Sequence, residues 1–135
     1  MKKFFIIVAA SIAINLYATG EVEGTYTAKS DNTKEIYELN LNIEKDEAGE
    51  DAYYFHLTKA LQEESGLNET CINGKYKIDK NKIILYGESI TGNTNSDNKQ
   101  KYKGNPIRVH VRNEDNKTVL VLSAFGKILK LAKQS

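Results

Sequence analysis

Apolar and polar residues alternate along most of the chain beyond residue 20. The clearest alternation runs from Tyr37 to Glu44, where Leu39 and Leu41 stand between polar neighbours. A period of two residues is typical of a β-strand with one buried face. The same pattern recurs in short segments and predicts a strand in each: Glu21–Ser30, Tyr37–Glu44, Tyr53–Leu61, Glu69–Ile78, Ile83–Thr91, Ile107–Arg112 and Val119–Ala124.

A β-hairpin at Gly74–Gly87 is the strongest local prediction. Two alternating arms flank Asp79–Lys82, which has the composition of a turn. An even loop pairs residues symmetrically about this turn and places one apolar face toward the core. The predicted cross-strand pairs are Ile78 with Ile83, Tyr76 with Leu85, and Gly74 with Gly87.

A second hairpin is predicted to turn at Glu114–Lys117 and to pair Val111 with Leu120. In both hairpins the alternation also directs apolar residues outward, and a cluster of such residues needs a cover or a partner. The candidate cover is Phe125–Lys133, which fits a closing strand or a short helix; we favour the strand. The outward apolar residues are Ile84, Tyr86, Val119 and Val121.

Together these segments predict an all-β, single-domain antiparallel meander of about seven or eight strands. Such a meander is expected to curl into a small closed or nearly closed barrel, because closure removes unpaired strand edges. We predict a turn within Gln62–Asn68. The polar segment Gly92–Pro106 is predicted to be mostly a loop, with Tyr102 in a possible short strand.

The first 20 residues have the layout of a bacterial-type secretory signal peptide. Met1–Lys3 is basic, Phe4–Ile14 is apolar, and small residues follow at Ala18–Gly20. The apolar run has 11 residues, whereas a helix that spans a bilayer needs ~20. We therefore predict a signal peptide at residues 1–20, a β-barrel domain at residues 21–135, a periplasmic or secreted location, and no stable membrane anchor.

Charge is distributed unevenly along the chain. Without Lys2 and Lys3, 17 basic and 18 acidic residues remain, a net charge of −1. Glu21–Thr70 carries 13 acids and 4 lysines, whereas Cys71–Ser135 carries 5 acids and 13 bases. If these halves lie on different sides of the fold, the protein has a charge dipole that steers charged partners over ~8–10 Å. If the first and last strands touch, the halves neutralise each other instead.

Residues suited to catalysis or metal binding are few. His56, His110 and Cys71 lie at no recognised metal-ligand spacing, and both histidines fall on polar strand faces. A single cysteine allows no intrachain disulfide, and we expect its thiol to be buried and inert. We predict no catalytic residue, no metal site, no cofactor and no enzymatic activity.

Two charged surfaces are candidates for binding. An acidic segment, Glu44–Asp51, has five carboxylates in eight residues. Within it, Glu47, Glu50 and Asp51 are predicted to meet a basic partner; the alternative is a solvated turn. A basic set on the other half suits phosphate, nucleic acid or an acidic protein, but export and a net charge near zero argue against nucleic acid. This set is Lys75, Lys77, Arg108, His110 and Arg112.

Two Gly-x-Tyr segments, at residues 24–26 and 74–76, and the Ile-Ile-Leu arm at residues 83–85 carry a family resemblance. They resemble the small lipocalin-like barrels of bacterial envelopes, among them the N-terminal domain of NlpE-type copper-resistance lipoproteins. The resemblance implies a barrel that holds a small apolar ligand. The chain lacks that family's lipid-accepting cysteine and its Cys-x-x-Cys motif, so copper binding and stress signalling are not implied.

The resulting functional prediction is an exported, non-enzymatic protein that binds another protein. An inhibitor or immunity protein against an envelope-targeted enzyme fits, with contacts through the acidic segment or through Tyr86 and Val121. The alternative is a lipocalin-like carrier, in which inward residues would line a cavity of at least ~300 Å³; we expect them to be packed instead. These inward residues are Tyr26, Leu41, Phe55, Tyr76, Leu85 and Leu122.

Overall fold

The computed structural model describes residues 22–29, 34–64, 66–92 and 99–134. The predicted signal peptide lies outside these ranges. Within the described ranges the regular structure consists of nine β-strands: β1 (Gly24–Lys29), β2 (Glu35–Lys45), β3 (Asp51–Glu63), β4 (Gly66–Asp79), β5 (Lys82–Gly92), β6 (Lys99–Lys101), β7 (Ile107–Glu114), β8 (Lys117–Ala124) and β9 (Lys127–Lys133). Across the described ranges, no helical segment has the length and apolar character needed to cross a bilayer.

Eight of the strands close into an antiparallel barrel. Its wall follows the order β1, β2, β3, β4, β5, β7, β8, β9, and β9 returns to pair with β1. The short strand β6 is additional and pairs with Ser89–Thr91 of β5. It lies beyond Lys82–Leu85, the part of β5 that pairs with β7. The predicted all-β antiparallel barrel is therefore confirmed.

The predicted register of the main hairpin is confirmed as well. Ile78 lies opposite Ile83, Tyr76 opposite Leu85, and Gly74 opposite Gly87. In the second hairpin, Val111 lies opposite Leu120. The match is expected, because a slip by one residue would turn the whole apolar face toward water.

The segment Lys127–Lys133 is a strand, as predicted, and not a helix. It pairs with β8 along its length and is therefore part of the barrel wall. A strand within the wall cannot lie over the outer face of its neighbours. The idea that this segment covers the outward apolar residues is wrong.

The turn predicted at Gln62–Asn68 is much shorter in the structure. β3 continues to Glu63 and β4 begins at Gly66, because Gln62 still pairs with Leu67 in the ladder. Ladder pairing thus overrides the turn composition of this stretch. Within the predicted loop Gly92–Pro106, β6 ends just before Tyr102 and does not include it, and residues 93–98 lie outside the described ranges.

Apolar side chains from all eight barrel strands fill the interior. Tyr26 and Phe55 are fully buried within this cluster. The Tyr26 hydroxyl donates a hydrogen bond to the carbonyl oxygen of Val22 at 2.7 Å. Val22 is itself buried in the cluster, so this bond holds the residues before β1 against the interior.

Gly74 allows β4 and β5 to approach each other closely. A Cβ atom on Gly74 would lie 2.0 Å from the carbonyl oxygen of Tyr86. The ladder changes register here, since Gly74 pairs with Gly87 while Asn73 pairs with Ser89. The residue in between, Glu88, has no partner on β4. This arrangement is a β-bulge, which bends the strand that carries the extra residue.

Tyr102 fills the space that the bulge leaves over Gly87. A Cβ atom on Gly87 would lie 2.4 Å from the Tyr102 ring, which packs against the core cluster. The Tyr102 N–H donates to the carbonyl oxygen of Glu88 at 3.1 Å. The ring therefore seals the barrel at the point where β5 ends its pairing with β7.

The seam between β1 and β9 is reinforced by a buried carboxylate. Glu35, at the start of β2, is 9% exposed. Its Oε2 atom accepts hydrogen bonds from Tyr37 and from Lys127, the latter at 2.7 Å, and Lys59 Nζ lies 3.8 Å from Oε1. The hydrogen bonds from Lys127 and then Tyr37 lower the pKa of Glu35 to about 2. This cluster links β2, β3 and β9, whereas the seam ladder has two residue pairs among the residues that the structure describes.

Replacement of Gly74 by alanine should destabilise the fold by about 1–3 kcal/mol, because the new methyl group meets a backbone oxygen that cannot move aside. The matched control is Gly92→Ala in β5, where no heavy atom lies within 4 Å of the new Cβ. Urea unfolding followed by circular dichroism measures both variants. Equal free energies of unfolding would show that the close approach at Gly74 is absent.

Glu35→Gln should remove a pH-dependent part of the stability. The folded-state pKa of about 2 lies below the ordinary value of 4.5, so the ionised carboxylate stabilises the fold above pH 4.5. This contribution is lost as the pH falls through 2. Thermal unfolding between pH 7 and pH 2 should show the gap between wild type and variant shrink, whereas the exposed-site control Glu47→Gln should follow wild type. A gap of constant size would falsify this account.

Candidate functional site

The turn between β2 and β3 has a defined backbone held by Asp46. Its Oδ1 atom accepts the N–H groups of Ala48 and Glu50, both at 2.9 Å. The Asp46 N–H donates to the Glu50 carbonyl oxygen at 2.8 Å, and the Gly49 N–H donates to the Asp46 carbonyl oxygen at 3.0 Å. The carboxylate of Asp46 is thus used to build the turn.

The three predicted binding residues of this acidic turn differ in their contacts. Asp51 forms an ion pair with Lys45 across the start of the hairpin, with 2.7 Å between Nζ and Oδ1. Glu47 and Glu50 are exposed. Neither of their carboxylates forms an ion pair with any residue that the structure describes. The turn therefore presents two free carboxylates on a fixed backbone.

Tyr86 and Val121 both lie on the outer face of the barrel, as predicted, but on different strands that are not neighbours. Tyr86 is 43% exposed and lies opposite Lys75. Val121 is half-buried and lies opposite His110 of β7. Because β7 runs between β5 and β8, its polar outer residues separate Tyr86 from Val121.

The predicted cluster of four outward apolar residues is accordingly divided. Ile84 lies opposite Arg108, and Val119 lies opposite Arg112, so arginines of β7 stand between the two apolar pairs. Val119 is only 6% exposed, which reduces the apolar surface further. The alternation predicted the outward direction correctly, but it carries no information on which strands are neighbours.

The predicted basic residues are all exposed and form two rows on the barrel wall. Lys75 and Lys77 lie on β4, and Arg108, His110 and Arg112 lie on β7, with β5 between the rows. The acidic half of the chain forms β1 to β3 and the start of β4, on another part of the wall. The two halves meet at the seam, where Lys127 pairs with Glu35. The fold thus separates the charges in part and neutralises them there.

A row of hydrogen-bonded side chains joins β3 and β4 on the outer face. The Thr58 hydroxyl donates to Cys71 Sγ at 3.5 Å, and Cys71 Sγ donates to Asn73 Oδ1 at 3.3 Å. His56 Nδ1 bonds to the same Asn73 oxygen. Cys71 is half-buried on this outer face, so the expectation of a buried thiol is wrong. Its position opposite Thr58 in the ladder points it outward.

This polar row borders a shallow depression of about 330 Å³. The depression lies where the bulge bends β5, and strands β2 to β6 contribute to it. Its lining residues are Glu44, Tyr54, Phe55, His56, Asn73, Gly74, Glu88, Ser89 and Lys99.

The structure brings together two of the three residues considered for catalysis or metal binding. His56 and Cys71 share Asn73 as a hydrogen-bond partner, whereas His110 lies on β7. Among the residues that the structure describes, no group of three or more His, Cys, Asp or Glu side chains is placed to hold a metal ion.

Sequence reasoning did not single out Asn73, Glu88 or Tyr54. Their proximity depends on the change of register beside Gly74, which alternation alone does not contain. The available signal was the pair of facing glycines in the hairpin, because glycine within a strand often marks a bulge or a close approach.

The six inward residues of the carrier hypothesis all lie in one continuous cluster of buried apolar side chains. Within it, the Tyr53 and Tyr76 rings meet edge to face, with 5.4 Å between their centroids. The Tyr76 hydroxyl makes no hydrogen bond to any described residue, and burial raises its pKa.

Comparison of the chain with protein-family models, with curated proteins and with solved structures found no match.

Asp46→Ala should loosen the acidic turn, because one carboxylate oxygen holds two backbone N–H groups. We expect faster hydrogen exchange at the amides of Ala48 and Glu50, and a loss of about 1 kcal/mol in the free energy of unfolding. Glu47→Ala is the control, since it removes a carboxylate from the same turn without removing a hydrogen bond. Similar exchange rates in the two variants would contradict the role assigned to Asp46.

Proposed function

We propose that this protein is exported to the periplasm or secreted, that it catalyses no reaction, and that it acts by binding another protein. An inhibitor or immunity protein against an envelope-targeted enzyme is the role that fits best. The observation that carries the proposal is the acidic turn, in which Asp46 fixes the backbone while Glu47 and Glu50 remain exposed.

A fixed turn is well suited to binding because little conformational entropy is lost when a partner engages it. Exposed carboxylates attract a positively charged surface and speed its encounter. Many wall-degrading enzymes are cationic, which makes them suitable partners for this turn. The expected location rests on the layout of residues 1–20.

The outer wall around Tyr86 is a second contact surface. Tyrosine and arginine are the residue types that most often dominate binding energy at protein interfaces. Here Tyr86 is exposed on β5, and Arg108 and Arg112 are exposed on β7, which is the neighbouring strand of the wall. An acidic region of the same partner would meet this wall.

The carrier alternative, which the resemblance to lipocalin-like barrels implies, needs space inside the barrel. The six residues that would line such a space instead belong to one buried cluster. Their contacts therefore favour the protein-binding proposal. The resemblance itself remains a prediction from the sequence pattern.

The proposal can be tested with a photo-crosslinking amino acid in the full-length protein, expressed in the native host. Placed at Glu47, it should trap one envelope protein that is not trapped from Ile128, which is 80% exposed on β9. Failure to trap any protein from Glu47 or from Tyr86 would overturn the proposal. Trapping from Tyr86 alone would remove the acidic turn as the contact surface.

Association kinetics with the trapped partner test the electrostatic part. The double variant Glu47→Gln/Glu50→Gln should associate roughly tenfold more slowly at low salt and show a weaker salt dependence. Glu63→Gln/Glu64→Gln removes the same charge from the turn at the other end of β3 and should associate like wild type. Equal rates for the two double variants would exclude the acidic turn.

A further inference from the structure

We propose that the outer depression beside the bulge of β4 and β5 binds a neutral saccharide. The depression has a volume of about 330 Å³, and six of the nine described residues that line it are polar or charged. This site is distinct from the acidic turn, and the inference does not depend on the identity of a protein partner.

The bulge gives the depression its shape. Gly74 contributes backbone alone, because no side chain fits against the carbonyl oxygen of Tyr86. Glu88 has no partner on β4, so it interrupts the regular pairing of β5. Its exposed side chain lies at the rim of the depression. Bulges commonly redirect side chains at binding sites in this way.

Asn73 and His56 contribute one donor and one acceptor to the lining. The Asn73 carbonyl oxygen can only accept, and it bonds to both Cys71 Sγ and His56 Nδ1. In the neutral imidazole the proton therefore lies on Nδ1, and Nε2 is an acceptor. Neither Asn73 Nδ2 nor His56 Nε2 is hydrogen-bonded to any residue within the described ranges. The hydroxyl groups of a sugar suit both atoms, because each hydroxyl can donate and accept.

Tyr54 supplies the apolar part of the site. It is half-buried in the outer face of β3 and lines the depression. The ring of a tyrosine has an apolar face and a polar edge. The C–H groups on one face of a sugar ring can pack on it while the hydroxyl groups reach Asn73, His56 and Ser89.

The charges of the lining select against other ligands. Glu44 and Glu88 would repel phosphate, sulfate or carboxylate groups, and Lys99 alone does not outweigh them. A fatty ligand would leave these polar groups without water or partners. A neutral ligand rich in hydroxyl groups satisfies them.

The test is a titration of isotope-labelled protein, observed by NMR, with chitotetraose, cellotetraose and maltotetraose as probes. We expect at least one of them to shift the side-chain amide signals of Asn73 and the ring signals of Tyr54 in a saturable manner. Asn73→Ala and Tyr54→Ala should each weaken this binding about tenfold, since each removes one principal contact. Tyr54→Phe retains the ring face and should bind nearly as wild type.

The matched control is His110→Ala, which removes another exposed histidine from the barrel wall and should not change the affinity. The backbone spectra of all variants show whether the fold is retained. The proposal is overturned if none of the saccharides gives saturable shifts, or if Asn73→Ala and His110→Ala bind equally well. It is also overturned if the capped, uncharged peptide acetyl-Gly-Ser-Gly-Ser-amide binds at the same residues more tightly than any saccharide.

Discussion

The close contact between β4 and β5 at Gly74 and Gly87 is the constraint on which the barrel depends. Strand β5 must pair with β7 on one side of this point and with β6 on the other. The change of partner requires a bend, and the unpaired residue Glu88 provides it. Tyr102 then fills the space over Gly87. The closure of the wall, the additional strand and the outer depression all follow from this one irregularity.

The opposite side of the barrel is held in a different way. In the described part of the chain the ladder between β1 and β9 has two residue pairs, and the Glu35 cluster joins the neighbouring strands beyond it. A buried carboxylate is stabilising only while its cationic and hydroxyl partners are in place. Lys127 and Tyr37 meet this condition at Glu35. One side of the barrel therefore depends on backbone geometry, and the other depends partly on charge, which makes the seam the side that acid weakens.

Sequence alternation predicted the fold well because it records which face of each strand is buried. It predicted the pairing of Ile78 with Ile83 and of Gly74 with Gly87. It failed where the pairing of strands with one another determines the structure. The β3–β4 ladder extends through the expected turn at Gln62–Asn68. On the outer face, β7 separates Tyr86 from Val121. The binding features were the least predictable part. The role of Asp46 in the turn requires backbone geometry, and the proximity of Asn73 to Glu88 requires the bulge.

The barrel interior and exterior place different demands on the chain. Inside, every strand of the barrel contributes apolar side chains to one cluster. Both proposed contact regions lie outside, where regular alternation gives evenly spaced side chains that rarely converge. Convergence occurs where the alternation breaks, at the Asp46 turn and at the Glu88 bulge. Since Glu44 lines the depression two residues before Asp46, the hairpin of β2 and β3 supports both proposed contact regions on a single rigid element.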